Sequence, residues 1–165
     1  GAWRGDGAGG ERSGSAWAAL TGSEPDLGAC VAWVGTPRAG AVATFSGVTR
    51  GSFGGRAVLR LEYEAYAPMA LRELKRICGE VLEMGCERVA IVHRLGDVLV
   101  GGTSVAIAAS SAHRAPALAA VQYAIDAVKA SVPIWKKEFY EDGEVWKENA
   151  EWEGGRRRLV QVSPG

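Results

Sequence analysis

The sequence has no excess of charge of either sign. Its 19 lysine and arginine residues balance 19 aspartate and glutamate residues, so the formal net charge at pH 7 is zero. Proteins that bind nucleic acids or membrane surfaces without sequence preference usually carry a basic excess, because they must neutralise phosphate groups. The composition therefore argues against both classes.

Cysteine is scarce as well, with 3 among 165 residues. Cys30, Cys78 and Cys86 lack the spacing of a metal site, and an odd number does not indicate a disulfide framework. We expect Cys78 to be a small buried apolar residue, because it shares a helical face with Leu74. A reducing compartment, the cytosol, is the default expectation for such a chain.

Long apolar runs are also missing. None approaches the ~18 residues of a membrane-spanning helix, and the first ten residues lack the apolar core of a secretory signal. The length fits one domain with its own hydrophobic core. We expect a flexible Gly/Ala-rich extension at 1–24, a folded domain at 25–155 and a C-terminal tail at 156–165.

Hydrophobic periodicity predicts an α+β fold. The predicted strands lie at 40–46, 57–66, 88–95 and 103–109, with a weaker strand candidate at 30–34, and the predicted helices lie at 68–85 and 116–131. We expect turns at Gly96-Asp97 and at 141–143. This order predicts a mostly antiparallel sheet with two main helices packed on one face.

The second predicted helix has cationic residues at both ends. His113 and Arg114 precede its first turn, where unpaired N–H groups suit an anionic ligand. Lys129 lies in its last turn, and Lys136 and Lys137 follow in the extended segment after Pro133. The alternative is a core helix whose lysines are solvated at the C-terminal end that favours them.

A glycine-rich connection at 47–56 carries Arg50 and Arg56. It lacks the Gly-Lys-Ser/Thr ending of a nucleotide-binding P-loop, which excludes that reading. Two interpretations remain: a long hairpin loop, or a mobile flap that brings Arg50 to an anion.

Five phrases of the sequence resemble one family. They are FSGVTR at 45–50, LEYEAYAPMA at 61–70, IVHRLG at 91–96, SAHR at 111–114 and VPIWKKE at 132–138. In this order and at these gaps they resemble the MoaE-like proteins, the large catalytic subunits of molybdopterin synthases, and look most like the eukaryotic branch. Each phrase alone is weak, whereas the ordered set is specific, and it runs from about residue 40 to residue 151.

The resemblance implies a fold and a reaction. The fold is the MoaE-like α/β hammerhead. A small ubiquitin-like, MoaD-like subunit carries a thiocarboxylate on its C-terminal Gly-Gly and inserts that tail into the large subunit. Its sulfur passes to cyclic pyranopterin monophosphate and builds the dithiolene of molybdopterin. The implied assembly is a homodimer with one small subunit per chain, a heterotetramer, with no cofactor and no metal.

The resemblance also implies roles for individual residues. Lys129 and Lys136 match the catalytic lysines. Substrate binding is expected at Phe45, Arg50, His113, Arg114 and Lys137. For His93 and Arg94 we expect a structural role at the end of a strand.

Two further questions stay open at this point. A non-catalytic scaffold that binds a ubiquitin-like tail is the alternative to the enzyme, although only the enzyme needs His113, Arg114 and both lysines. Aromatic residues in and beside polar segments favour a dimer interface, unless they pin the acidic C-terminal segment onto its own domain. These aromatics are Tyr63, Tyr66, Phe139, Tyr140, Trp146 and Trp152.

Overall fold

The computed structural model describes residues 2–3, 10–143, 145–149 and 159–162. Its helices are α1 (Leu27–Val34), α2 (Ala67–Glu83) and α3 (Arg114–Ser131). Its strands are β1 (Ala2–Trp3), β2 (Gly10–Ser13), β3 (Ala16–Thr21), β4 (Ala41–Val48), β5 (Ser52–Phe53), β6 (Arg56–Ala65), β7 (Arg88–Arg94), β8 (Gly96–Leu99), β9 (Thr103–Ser111), β10 (Ile134–Tyr140), β11 (Val145–Asn149) and β12 (Leu159–Val162). The α+β prediction and both main helices are confirmed.

The first sheet has the order β1-β2-β3-β7-β9-β4, and its β3–β7 pair is parallel. Helices α2 and α3 pack on one face, where Leu20, Ile91 and Ile107 are buried. Alternate residues of the same strands, such as Ala90 and Ala108, point to the opposite face and pack with α1. The central strands β7 and β9 are therefore buried on both faces.

The run at 30–34 forms the end of helix α1, so the strand predicted there is wrong. Asp26 is the N-cap, and its side chain accepts a hydrogen bond from the Ala29 N–H at 2.9 Å. The prediction failed because a short apolar run fits a buried helix as well as a buried strand. The aspartate three residues before Ala29 was the available signal.

The expected flexible extension at 1–24 is wrong for strands β2 and β3. Strand β3 pairs with β7 from Ala16↔Val89 to Thr21↔Arg94, and Leu20 is fully buried. Small residues suit a central strand that is covered on both faces, although their composition resembles that of a tail. The boundaries at 155 and 156 stay predictions. Within the expected tail, β12 pairs with β11, while 156–158 and 163–165 lie outside the described residues.

The second sheet has the order β12-β11-β10-β6-β5, and β8 also pairs with β6. The turn predicted at Gly96-Asp97 is wrong, because Gly96 begins β8 opposite Tyr63. The predicted turn at 141–143 is confirmed, with Gly143 at φ 83°. Across the described part of the chain, no helix is both long enough and apolar enough to cross a bilayer.

We expect Leu20→Ala to lower the free energy of unfolding by about 2–5 kcal/mol, because Leu20 is fully buried and its truncation opens a cavity under α2. The matched control is Leu99→Ala, since Leu99 is 67% exposed. Urea unfolding of both variants decides the point. A Leu20→Ala protein as stable as the control would mean that β3 does not belong to the core.

Candidate functional site

An open groove of about 480 Å³ lies between α3 and β4. The residues that line it are Phe45, Leu118, Val121, Gln122, Ile125, Asp126 and Lys129. All but Phe45 come from α3, at spacings that share one helical face. Phe45 lies two residues after the buried Ala43 on β4 and so points to the same side of the sheet. The groove brings together two of the predicted site residues, Phe45 and Lys129.

The chain reverses directly after Lys129. Pro133 holds Val132 in an extended conformation, with φ −77° and ψ 125°, and this ends α3. Strand β10 then runs antiparallel to β6, with Lys136 opposite Tyr63. Residues directly opposite each other in an antiparallel pair project from the same face. The reversal thus returns Lys136 towards the end of α3.

His93 lies against Tyr63, the residue opposite Lys136, and is close enough to Lys129 to feel its charge. Its ring packs edge-on against Tyr63, with ring centroids 5.1 Å apart. Its Nδ1–H donates to the Arg94 carbonyl oxygen at 2.7 Å. Burial, with a smaller contribution from the positive charge of Lys129, lowers the pKa of His93 to about 4, although the hydrogen bond to the Arg94 carbonyl oxygen acts in the opposite direction. His93 is thus a neutral, buried residue near Lys129, in keeping with the expected structural role.

Lys136 and Lys137 lie on opposite faces of β10. The Lys136 ammonium pairs with Glu138 at 3.1 Å, and the Tyr140 hydroxyl donates to the other oxygen of that carboxylate. Burial and the bond to Glu138 raise the pKa of Tyr140 to about 12. Lys137 instead contacts the carboxylates of Glu62 and Glu64 at 3.3 and 3.0 Å, and hydrogen bonds to both raise its pKa. The structure therefore does not bring Lys137 to the groove.

His113 and Arg114 lie at the opposite end of α3. Lys129 follows Arg114 by 15 residues of helix, which is a distance of about 22 Å along the axis. Strand β4 starts beside this end, with Ala41 opposite Ser111, and Arg50 follows its far end. Within one chain the predicted site residues form two groups. Phe45, Arg50, Lys129 and Lys136 lie at one end of the α3–β4 layer, and His113 and Arg114 lie at the other.

Comparison with known proteins gives the family. The protein-family model described as MoaE protein matches residues 20–131 of this chain. The molybdopterin synthase catalytic subunit of Arabidopsis thaliana is 51% identical over 141 residues, which are 85% of this chain and 71% of that protein. The human protein of that name is 51% identical over 117 residues, 70% of this chain and 62% of its own length. The chain belongs to the MoaE family.

Solved structures of MoaE proteins share its architecture. Molybdopterin synthase from Staphylococcus aureus has a TM-score of 0.72 at 39% identity, over 75% of this chain and 91% of that one. The MoaE protein of Burkholderia ambifaria has a TM-score of 0.66 at 31% identity, over 88% of each chain. A subunit of molybdopterin-converting factor from Helicobacter pylori, 24% identical with a TM-score of 0.55, shares the fold.

Sequence reasoning missed several residues of this MoaE site. Leu118 is an apolar residue of α3 that was not among the predicted site residues, yet it is 58% exposed and lines the groove. Tyr63 and Glu138 were not singled out as contacts of His93 and Lys136. The Lys136–Glu138 pair lies within β10 and follows from the two-residue period of a strand. The Tyr63–His93 contact joins β6 to β7, which belong to different sheets, and no local pattern in either strand predicts it.

We expect His93 to make the stability of the MoaE domain depend on pH. The imidazole has a pKa near its ordinary 6.5 in the unfolded chain and about 4 in the folded one. Between these values the unfolded state binds the additional proton, so stability is complete above pH 6.5 and falls as the pH falls. Going from pH 7 to pH 5 should remove about 2 kcal/mol of unfolding free energy through this residue.

The comparison is with His93→Phe, which keeps a ring against Tyr63 but cannot titrate. Urea unfolding at both pH values should show a smaller pH effect in this variant than in the wild type, by about 2 kcal/mol. His113→Gln removes the other histidine, whose side chain is exposed, and should leave the wild-type effect in place. Equal pH effects in the wild type and His93→Phe would contradict the assignment.

Proposed function

We propose that this chain is the catalytic subunit of a molybdopterin synthase. It transfers sulfur from the C-terminal thiocarboxylate of a small ubiquitin-like subunit to cyclic pyranopterin monophosphate. The observation that carries the proposal is the position of Lys129 at the groove beside Phe45, with Lys136 returned to the same end by β10. An anionic tail and an anionic substrate both require cations at their meeting point.

The cysteines of the chain are unsuited to carrying the sulfur. Cys30 and Cys78 are fully buried. Burial raises the pKa of Cys30 to about 11 and that of Cys78 to about 12, and it also raises the pKa of Cys86. Thiols in this state are poor nucleophiles near neutral pH. The sulfur therefore arrives on the partner. The same free thiols fit a reducing compartment, and we place the protein in the cytosol.

The groove suits an extended peptide that ends in Gly-Gly. Its walls are apolar at Phe45, Leu118 and Ile125, which can pack against a peptide backbone without side chains. Lys129 supplies the counter-charge for the thiocarboxylate at the end of the tail. Lys136, whose ammonium is already paired with Glu138, is the group that exchanges protons as the cyclic phosphate opens.

The substrate site is completed by a second copy of the chain. His113 and Arg114 bind the phosphate, yet they are about 22 Å from Lys129 on the same helix. One pterin cannot contact both groups, so the start of α3 from one subunit meets the end of α3 from the other. This separation is the stronger argument for a homodimer. The aromatic argument is weaker, since Tyr140 is buried and Tyr63 packs in its own core.

We expect Lys129→Ala to reduce molybdopterin formation at least about a hundredfold, because it removes the charge that meets the tail. Its unfolding free energy should change by less than about 0.5 kcal/mol, because the side chain is exposed at a helix end. Product is measured by mass spectrometry after mixing with the thiocarboxylated partner. Lys75→Ala, an exposed lysine on α2, is the matched control. Normal turnover by a folded Lys129→Ala chain would falsify the role of Lys129.

Mixed dimers test the shared site. Lys129→Ala and Arg114→Ala chains should each be nearly inactive under subsaturating substrate. After subunit exchange, one site of each mixed dimer has both an intact Lys129 and an intact Arg114, so about a quarter of all sites should recover. If Lys129 and Arg114 acted within one chain, exchange would restore nothing. A monomeric mass by light scattering at micromolar concentration would exclude the dimer itself.

A further inference from the structure

The turn between β9 and α3 is built around one buried hydroxyl group. Ser111 has no exposed surface. Its Oγ accepts a hydrogen bond from the Ala117 N–H at 3.0 Å and donates to the His113 carbonyl oxygen. His113 is the N-cap of α3, but its side chain makes no capping bond. Ser111, which precedes the helix, therefore caps the N-terminus of α3 in place of the N-cap side chain.

The two backbone groups that the Ser111 hydroxyl contacts are the first hydrogen-bonding partners of α3. Ala117 N–H and His113 C=O are four residues apart, so they are the partners that open the hydrogen-bond ladder of α3. A hydroxyl has one donor, and here it uses that donor on one partner while it accepts from the other. The hydroxyl thus fixes the His113 backbone relative to the first turn of the helix.

Gly40, the residue directly before β4, holds the turn from the other side. The Gly40 N–H donates to the Ser111 carbonyl at 3.1 Å. A Cβ on Gly40 would lie 2.4 Å from the Ala112 carbonyl oxygen, far inside contact distance. Any other residue at this position would push the turn away. Ser111 and Gly40 therefore constrain the same turn at different points: the Ser111 hydroxyl acts on His113 and the first helical turn, and Gly40 acts on the carbonyl groups of Ser111 and Ala112.

The side chains of His113 and Arg114 need this backbone constraint. Both are exposed, and within the part of the chain that the structure describes neither has a hydrogen-bond or ion-pair partner. Their direction is therefore set by the turn that carries them. A rotation of the turn would move a guanidinium and an imidazole together.

We propose that Ser111 is a positioning residue for the reaction, which together with Gly40 aims His113 and Arg114 at the phosphate of the pterin. The inference rests on the proposed function, because it assigns these two side chains to that substrate. It adds a residue that touches neither substrate nor partner and acts only through the backbone of the turn.

Ser110 provides a matched control next to Ser111. It is also fully buried, and its Oγ accepts a hydrogen bond from the Arg88 N–H at 3.2 Å. Its hydroxyl thus bonds to β7, away from the turn. Ser110→Ala and Ser111→Ala each delete one buried hydroxyl and leave one backbone N–H without that partner. They differ in whether the lost bond orients His113 and Arg114.

The experiment is steady-state turnover of the full chain with thiocarboxylated partner, at varied concentrations of cyclic pyranopterin monophosphate. Ser111→Ala should raise the KM for the pterin about tenfold, with kcat and partner affinity within about twofold of the wild type. Ser110→Ala should leave this KM unchanged. Gly40→Ala, which displaces the turn from the side of β4, should reproduce the KM effect. Should Ser111→Ala fail to fold, Gly40→Ala carries the test.

Three outcomes would overturn the proposal. They are an unchanged KM in folded Ser111→Ala, the same KM rise in Ser110→Ala, and a loss of partner affinity that matches the rise in KM. Each is read against a wild-type chain that turns over normally, so it contradicts the role of Ser111 and leaves the proposed function standing. A wild-type chain without turnover would instead contradict the proposed function, and with it the substrate on which this role depends.

Discussion

Burial of β7 and β9 on both faces is the constraint on which the rest of the structure depends. Both strands are largely continuous apolar runs, so both faces of the sheet must be covered by helices. Helix α1 covers one face, while α2 and α3 cover the other. Because α3 follows β9 after a short turn, it must run back along that strand. Its two ends thus lie at the two ends of the sheet, and the groove beside β4 follows from that placement.

The fold could be predicted where periodicity was long and unambiguous. Helix α2 keeps its apolar period over four turns, and β6 nearly alternates, so both were assigned from local pattern. Prediction failed where the decisive interaction was distant. Strand β3 is half alanine, and its partner, β7, lies about 70 residues later in the chain. Only that pairing distinguishes a central strand from a glycine- and alanine-rich tail, and composition cannot supply it.

The candidate site could be predicted as a set of residues but not as a geometry. Lys136 and Lys137 are neighbours in the sequence, yet the alternation of β10 puts one beside Glu138 and the other beside Glu62. That separation follows from the period of a strand, once the segment after Pro133 is recognised as one. The distance between Arg114 and Lys129 also follows from the sequence, since it needs only the length of α3. The groove itself could not be predicted, because it depends on the position of Phe45 relative to α3 in the folded chain.

The helix dipole of α3 has opposite effects on positive charge at its two ends. At the C-terminal end the helix dipole favours the Lys129 ammonium, whereas at the N-terminal end it disfavours the Arg114 guanidinium until an anion binds. A charged His93 would add a second cation near Lys129, and burial keeps it neutral. Under the proposed function the two ends meet different anions, the thiocarboxylate of the tail at Lys129 and the phosphate of the pterin at Arg114. Only the second of these lies where the helix dipole itself attracts an anion.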